Sequence, residues 1–537
     1  MKYKRTLLPF ILGSFLGAAV FLLIFGTSVV SPSNTSWLFT VPDDSAQHHL
    51  GWVYYRKNKW TFPLCLTEGL SSDGMVSCMY SDSIPIMALI FKLISPVLPD
   101  TFQYLGIWGV LCFALNGGFG AILLNRVTRN IPFSVIGSLF YSAFIPSIAR
   151  ITHHNSLGAI WLIIIPLILC IDRKQAHSRL KWSIICIMAV MTHVYFVPMI
   201  FLVMSGYVIL LLFRDKKAKQ ACLTVISSTA SVLITMWCIG AFYGNGSYTD
   251  GGFGMFSANL NTFYNSMGYS RFLPELNTFE GQGEGFGYLG LGMLICISAA
   301  FVSAGINYKK VVSAIKIRIP ETAAFCTVFI TSVFWAVSSR ITLNDYILAD
   351  IPIPHFILSC LSVFRASGRF IWLPCILLIT AALGVLSKTW KKYAIYAIIL
   401  GIAVQITDIS RWCMDTHRFY SQTSDNYTLN DQKWDELTEN ASEIIFLPLQ
   451  EDHLNFMQLY FDFARLADIH DMKLSSFYLA RSDIYSIASY ANEQYTMLCT
   501  GRGRPDVLYV FFHSDDAPTA DNVNVYEVDG YTVARVK

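Results

Sequence analysis

The sequence predicts an α-helical polytopic membrane protein of about eleven transmembrane helices, followed by a small C-terminal α/β domain. Three observations carry that expectation. Only 14% of the 537 residues are charged and the mean hydropathy is +0.47, against about 25% charged residues in a soluble globular chain. The apolar residues gather in long runs such as Leu7 to Val30 and Phe370 to Leu386, and about 20 such residues cross a ~30 Å hydrocarbon layer. From about residue 408 the runs cease, and 409–537 holds ten Lys/Arg against twenty Asp/Glu.

The expected spans are 7–30, 103–124, 131–149, 156–171, 182–195, 196–213, 220–241, 287–305, 322–338, 370–387 and 392–407. The first could pass for a signal peptide, but its apolar run is too long for an h-region and no small-x-small site follows, so it reads as a retained span. The short segments 2–5, 125–130, 171–181, 214–219, 306–318 and 388–392 carry twenty Lys/Arg and only two acids, Asp172 and Asp215. Eleven spans put all six on one side, and the positive-inside rule makes that side the cytoplasm. The N-terminus is then cytoplasmic and the C-terminal domain outside. Ile84 to Leu98 is apolar but short and contains Lys92 and Pro96. If it crossed, every later loop would change sides, so it reads as an interfacial or re-entrant helix. The membrane domain is thus 1–407, with external loops at about 31–102, 242–286 and 339–369, and the external domain is 408–537. A net charge of +3 makes no case for a nucleic-acid partner.

In the tail, strand-like runs at Glu443–Leu449, Leu474–Leu479 and Val507–Phe512 alternate with helical patterns at Asn455–His470 and Ser482–Leu498. The pair Val523–Val528 and Tyr531–Val536 straddles Asp529-Gly530, a hairpin signal. The tail has no glycine-rich phosphate loop and no nucleophile elbow, and Gly501-Arg-Gly-Arg504 reads as a loop. It is expected to support the protein or recognise an acceptor rather than perform chemistry. Thirteen cysteines include no CxxC and no Cys/His metal spacing. Cys65 and Cys78 share the first external loop and form a candidate disulfide, whose loop of about 14 residues would contribute roughly 3 kcal/mol.

Chemistry is expected in the external loops. Asp43 and Asp44 follow the first span beside Gln47, His48 and His49, with Trp52, Tyr54, Tyr55, Arg56 and Trp60 close behind. A carboxylate there can take a proton from an attacking hydroxyl. The pair could instead hold a divalent cation, Mg2+ or Mn2+, and Asp43 could cap a helix while Asp44 does chemistry. The Gly- and Asn-rich loop 242–286, which contains Gly251-Gly-Phe-Gly254, offers Arg271 and Glu284; its aromatic content argues against simple disorder. Arg365 and Arg369 lie at the mouth of a span, where they could grip a lipid phosphate or snorkel. Arg150, His153, His154 and Asn155 form another outer cluster, as do His193 and Tyr195.

Several pieces together resemble a family of bacterial multi-pass proteins that is similar to the GT-C superfamily of membrane glycosyltransferases. They are Asp44-Ser-Ala-Gln-His-His-Leu-Gly-Trp52, Trp60-Thr-Phe-Pro63, Ser81-Asp-Ser-Ile-Pro-Ile-Met-Ala-Leu89, Phe102-Gln-Tyr-Leu-Gly106, Ser270-Arg-Phe-Leu-Pro274, Glu284-Gly-Phe-Gly-Tyr-Leu-Gly290 and Phe364-Arg-Ala-Ser-Gly-Arg-Phe370. The likeness runs from the first span to about residue 408, and the tail matches more weakly. It implies a GT-C-like fold in a bacterial inner membrane with a periplasmic tail. It also implies inverting transfer from an undecaprenyl-phosphate sugar to a glycan acceptor, such as the O-antigen of lipopolysaccharide. Asp44 would be base or metal ligand, assisted by Asp43 and oriented by His48 and Gln47. Arg365, Arg369 and Arg271 would bind the donor phosphate. Trp52, Arg56, Trp60, Asp82, Glu284, His154 and His193 would bind substrate. His49 stands where the pattern has an apolar residue. The competing readings are a non-catalytic polysaccharide assembly protein and a transporter or flippase; the near absence of charge inside the spans speaks against the last.

Overall fold

The computed structural model describes residues 4–244, 253–449 and 453–537. Lys2, and Gly251-Gly252 of the glycine-rich loop, lie outside the described residues. Eight helices are long and apolar enough to cross a membrane: Thr6–Phe25, Leu105–Thr128, Ile131–Arg150, Phe196–Arg214, Ala218–Cys238, Ile319–Val337, Ser367–Thr389 and Lys391–Ser421. A ninth is obtained if Leu291–Ile306 and Tyr308–Ile317, bent by 88°, count as one span. The chain is therefore a multi-pass membrane protein, with fewer full-length spans than the eleven expected. The other two expected spans are helical but short. Asn155–Ile171 is a 3-10 turn at Asn155–Gly158 followed by the 11-residue α-helix Trp161–Ile171, and Arg179–Thr192 has 14 residues, a rise of only ~21 Å. Tyr308–Ile317 buries none of its residues and carries Lys309, Lys310 and Lys316, the character of a helix lying in the interface.

By its contacts the chain divides into two units, and the division is not at residue 408. The first unit is Met1–Val30, Gly106–Leu233 and Thr249–Gln422. Between helices in lipid there is little hydrophobic driving force, so close approach at small residues does the packing. A Cβ at Gly17 would overlap the Phe113 carbonyl, and Gly13 and Gly117 lie against one another. Gly292 sits in the same way on the Gly401 carbonyl. Asp408 is fully buried on Lys391–Ser421 and accepts from Tyr288 Oη at 2.7 Å, from the Leu291 amide at 3.0 Å and from Ser270 Oγ. It pins the Ser270–Pro274 stretch to the last span. The described part of loop 242–286 is ordered without regular structure, because side-chain amides replace a ladder. Asn259 Nδ2 donates to Gln282 Oε1 at 2.9 Å and to the Asn344 carbonyl at 2.8 Å, and Asn265 Nδ2 to the Leu276 carbonyl at 2.9 Å. These bonds fasten the loop to the hairpin Arg340–Leu343/Tyr346–Asp350.

The second unit is Ser31–Leu105, Ile234–Tyr248 and Thr423–Lys537. The first loop and the tail fold together. Tyr54 Oη donates to the Ala464 carbonyl at 2.9 Å, Lys57 pairs with Asp468 at 2.8 Å, and the amides of Ser72, Leu474 and Ala480 bond carbonyls of Ser475, Gly69 and Tyr80. The expected strand Leu474–Leu479 shortens to Lys473–Leu474, since the backbone beyond it pairs with the first loop. The tail holds a five-stranded sheet in the order 473–474, 443–447, 507–511, 531–536, 523–528. The first three strands are parallel and the last joins as an antiparallel hairpin. Asp529 and Gly530 both have positive φ, 49° and 82°, as a two-residue hairpin turn requires. Met457–Ile469 and Ile484–Cys499 are the two crossover helices.

Ile84 to Leu98 becomes the helix Pro85–Leu93 and a turn at Ser95–Val97, too short to cross a bilayer. Lys92 does not snorkel: it is 5% exposed, donates to the Tyr55 carbonyl at 2.7 Å and lies 3.9 Å from the Tyr55 ring centre. Burial pulls its pKa down to about 8. Cys65 and Cys78 are buried side by side beneath it as free thiols rather than as the expected disulfide. The Cys78 amide donates to the Cys65 carbonyl at 2.8 Å, and the hydrogen bond between their side chains, with burial, holds the Cys78 thiol well above its ordinary pKa.

His49 is 6% exposed, lies edge-on to Phe39 with ring centres 5.8 Å apart, and has no hydrogen-bond partner for Nδ1 among the described residues. Burial first, then Arg465, lowers its pKa from 6.5 to about 3. It is a neutral space-filler, which accounts for an imidazole where the pattern has an apolar residue. An unfolded chain takes up a proton at His49 below pH 6.5 while the folded chain does not until about pH 3. Stability from this site is therefore lost as pH falls through that window, by up to about 1.4 kcal/mol per pH unit. His49→Leu is expected to raise stability by about 1–2 kcal/mol at pH 7 and to flatten the acid dependence of unfolding. A variant with an unchanged acid slope would contradict this.

Candidate functional site

In the second unit, the helix Asp44–Lys57 begins at Asp43, whose carboxylate accepts from the Ser45 amide at 2.8 Å. Asp43 is therefore the cap, and Asp44 enters the first turn half-buried. One carboxylate oxygen of Asp43 is thus committed to the helix end, and Asp44 is the first residue inside the helix. Asp44 and His48, one turn apart, share a helix face. His48 is fully buried, and its Nε2 lies 3.8 Å from Asp82 Oδ2. Asp82 is presented by a strained turn: Asp82 and Ile84 have φ of 50° and 49°, a costly conformation for β-branched Ile84. The turn is held by Ser83 Oγ, which donates to the His48 carbonyl at 2.8 Å, by Ser81 Oγ at 2.8 Å from Ser83 Oγ, and by Tyr104 Oη on the Ser83 carbonyl. Gly51 permits this approach, since a Cβ there would overlap Ser81 Oγ. The result is a carboxylate one helical turn from a buried imidazole that faces a second carboxylate, residue types suited to taking up and steering a proton. Gln47 Nε2 donates to the Tyr478 carbonyl at 2.5 Å and so ties this helix to the tail.

In the first unit, Glu284 is clasped by two arginines. Arg369 Nε lies 2.6 Å from Oε2, and Arg150 Nη1 lies 3.0 Å from Oε1, with Arg150 Nη2 on the Gly283 carbonyl at 2.8 Å. His154 Nε2 is 4.0 Å from Oε1. Burial alone would raise the Glu284 pKa, but Arg369 and Arg150, and then His154, hold it well below the ordinary carboxylate range. The clasp exists because glycines let two loops touch: Gly368 packs on the Gly285 backbone, and its amide donates to the Phe256 carbonyl at 2.9 Å. Tyr195 supports the other side. Its hydroxyl accepts from the Ala366 amide at 3.0 Å, and the Arg369 guanidinium sits 4.7 Å from its ring centre. Two guanidiniums against one carboxylate leave a net positive charge. Arg365 is exposed and lies 5.7 Å from the Phe256 ring centre.

The sequence expectation paired Arg365 with Arg369 and left Glu284 as a separate substrate contact; instead Glu284 and Arg369 are partners. Two further expected contacts, Trp52 and Arg56, are corrected, and Arg271 and His193 stand apart from the clasp. Trp52 is 1% exposed, with Nε1 on the Phe102 carbonyl at 3.2 Å, so it is core and offers no face to a sugar. Arg56 gives its donors to Ser95 and to the carbonyls of Ser95, Leu98, Pro99 and Asp100, fastening the Pro85–Leu93 helix. Arg271 takes no part in the clasp; its side chain is exposed and its amide bonds the Asp408 carbonyl at 2.7 Å. His193 accepts from the Tyr195 amide at 3.2 Å and stiffens the turn that positions Tyr195. Trp60 remains 48% exposed. Asp408 was not singled out in the sequence, where a lone acid after an apolar run carried no signal.

The architecture defines a multi-pass membrane protein whose first loop and tail build one α/β unit, with an acidic cluster in the first loop and a basic cluster at span ends. The chain belongs to the family described as a domain of unknown function, DUF6311, which matches residues 14–410, and the DUF6311 C-terminal domain matches residues 433–536. No curated protein matches the chain.

Removing the carboxylate from the clasp strands two arginines, and breaking a buried pair costs about 3–5 kcal/mol. Glu284→Ala is expected to lower the melting temperature of the detergent-purified protein strongly, and Glu284→Ala/Arg369→Met to recover part of the loss. An unchanged melting temperature in the single variant would show that the clasp contributes nothing.

Proposed function

We propose that the protein is an inverting, GT-C-type membrane glycosyltransferase that moves a sugar from a polyprenyl-phosphate donor, undecaprenyl phosphate in a bacterial inner membrane, to a surface polysaccharide or other periplasmic glycan. The observation that carries this reading is Asp44 one turn from His48 on a capped helix after the first span, with Asp82 of a neighbouring turn facing His48. In the reaction, an acceptor hydroxyl oxygen attacks the anomeric carbon and its proton passes to the Asp44 carboxylate. The bond between that carbon and the phosphate oxygen breaks, and its electron pair leaves with the polyprenyl phosphate. His48, backed by Asp82, orients Asp44 and steadies its charge. The phosphate's charge is met by cationic side chains. Arg365, exposed, takes that role directly; Arg369 and Arg150, already on Glu284, contribute a fixed positive field. No step is assigned to a metal ion.

This reading requires eleven crossings, with the two short helices 155–171 and 179–192 and the bent pair each crossing, the N-terminus cytoplasmic and the tail periplasmic. Reporter fusions after residues 175 and 216 are expected to read cytoplasmic, and those after residue 270 and at the C-terminus periplasmic. A cytoplasmic C-terminus would break the scheme.

Asp44→Asn is expected to reduce transfer at least 100-fold in a membrane assay with lipid-linked sugar, at normal protein levels, a loss in the range of general-base removal. Arg365→Ala should raise the donor KM with a smaller effect on kcat. Full activity in the Asp44→Asn protein would reject the base assignment and favour a non-catalytic role in polysaccharide assembly.

A further inference from the structure

The tail's sheet contains a topological switch point. From strand 443–447 the chain crosses to 473–474 on one side, then returns past it to 507–511 on the other, all three strands parallel. Connections leaving in opposite directions open a crevice outside the carboxyl ends of the central strands, where open α/β sheets bind ligands. A cavity of about 400 Å³ lies there, within the size range of small-molecule sites. Phe511, Phe512 and Ser514 end the strand 507–511 side of it, Phe456 and Gln458 begin the crossover helix side, and the terminal hairpin adds Glu527, Tyr531 and Thr532.

The lining identifies the ligand class. Among the described residues no Lys, Arg or His lines the cavity, so the described lining offers none of the cations that recognise a nucleotide or phosphate. Its apolar surface is aromatic and braced. Phe456 and Phe512 have ring centres 4.8 Å apart, and Tyr531 lies edge-on to Phe463 at 5.4 Å with its hydroxyl 3.0 Å from Thr428 Oγ1. Its polar groups are amides and hydroxyls that both donate and accept, from Asn455, Gln458, Ser514, Tyr531 and Thr532, together with the acceptor Glu527. Gln458 commits its nitrogen to Asp462 and to the Asn426 carbonyl, which leaves its carbonyl oxygen for a ligand hydroxyl. Exposed Glu527 accepts from Thr532. Flat apolar faces beside neutral and anionic acceptors suit a ring bearing many hydroxyl donors and no negative charge.

We propose that this cavity binds a ring of a neutral glycan chain, and that this chain is the acceptor of the transfer proposed above; the second part rests on the glycosyltransferase reading. The test uses full-length protein in lipid nanodiscs on an array of neutral and acidic bacterial surface polysaccharides, with UDP as competitor. Ser514→Trp fills the cavity and Glu527→Ala removes an acceptor; both sites are exposed, and matching melting temperatures verify folding. At least one neutral polysaccharide is expected to bind, at least tenfold more weakly to both variants, with no competition by UDP. Absence of any neutral glycan binding, binding untouched by both variants, or displacement by UDP overturns the proposal. Transfer by the wild type with an acceptor KM unaltered in both variants removes the cavity from the reaction while leaving the transferase reading intact. Variant-sensitive binding without transfer by the wild type removes the transferase reading and leaves the glycan site.

Discussion

The Glu284 carboxylate joins parts of the first unit that lie far apart in the chain: the end of Ile131–Arg150, the loop before Leu291–Ile306 and the mouth of Ser367–Thr389. A carboxylate removed from water is costly unless it is paired and hydrogen-bonded. Here two guanidiniums and a near imidazole meet that requirement. The same arginines would be costly to bury without the carboxylate. The three chain segments are therefore mutually dependent, and the backbone contact of Gly285 with Gly368 makes the dependence geometrically possible. Tyr195 and the stacked pair Trp335 and Phe370, 4.6 Å between ring centres, close the apolar side.

A comparable logic governs the second unit at a polar rather than an ionic level. The helix Asp44–Lys57 has few apolar contacts of its own making at its start, yet Ser45 through Trp52 are all buried. The burial is supplied by the tail's crossover helix and by the Ser81–Ile84 turn, with hydrogen bonds from Tyr54, Gln47 and Ser83 meeting carbonyls that would otherwise be unsatisfied. A strained turn persists only where its surroundings over-determine it, and the serine and tyrosine hydroxyls around Ser83 do that. The tail thus acts on Asp44 and His48 through the helix they share. That gives a domain without catalytic motifs a direct physical connection to the acidic cluster.

Much of the first unit was legible in the sequence because lipid imposes simple rules. A backbone in hydrocarbon must be helical, its side chains must be apolar over a set length, and basic residues collect on one side. Helices accordingly occupy every predicted stretch. What failed was the count of full-length spans, since the 3-10 turn at Asn155–Gly158 and the bend after Ile306 shorten or turn helices whose composition alone reads as membranous. In the tail, period-two runs and Asp529-Gly530 announced strands and a hairpin through local backbone preferences.

Local rules also determined the start of the Asp44 helix, since Asp43 caps it by reaching two residues along the chain. Tertiary structure alone decided the partners. Arg56 and Trp52 looked like surface recognition groups and became struts and core, because whether a long side chain meets solvent or a carbonyl depends on chain tens of residues away. The pairing of Glu284 with Arg150 and Arg369, and the union of the first loop with the tail, join positions separated by 85 to more than 400 residues. Composition and periodicity carry no information at that range, and only the packed structure, where buried charges and carbonyls must find partners, determines it.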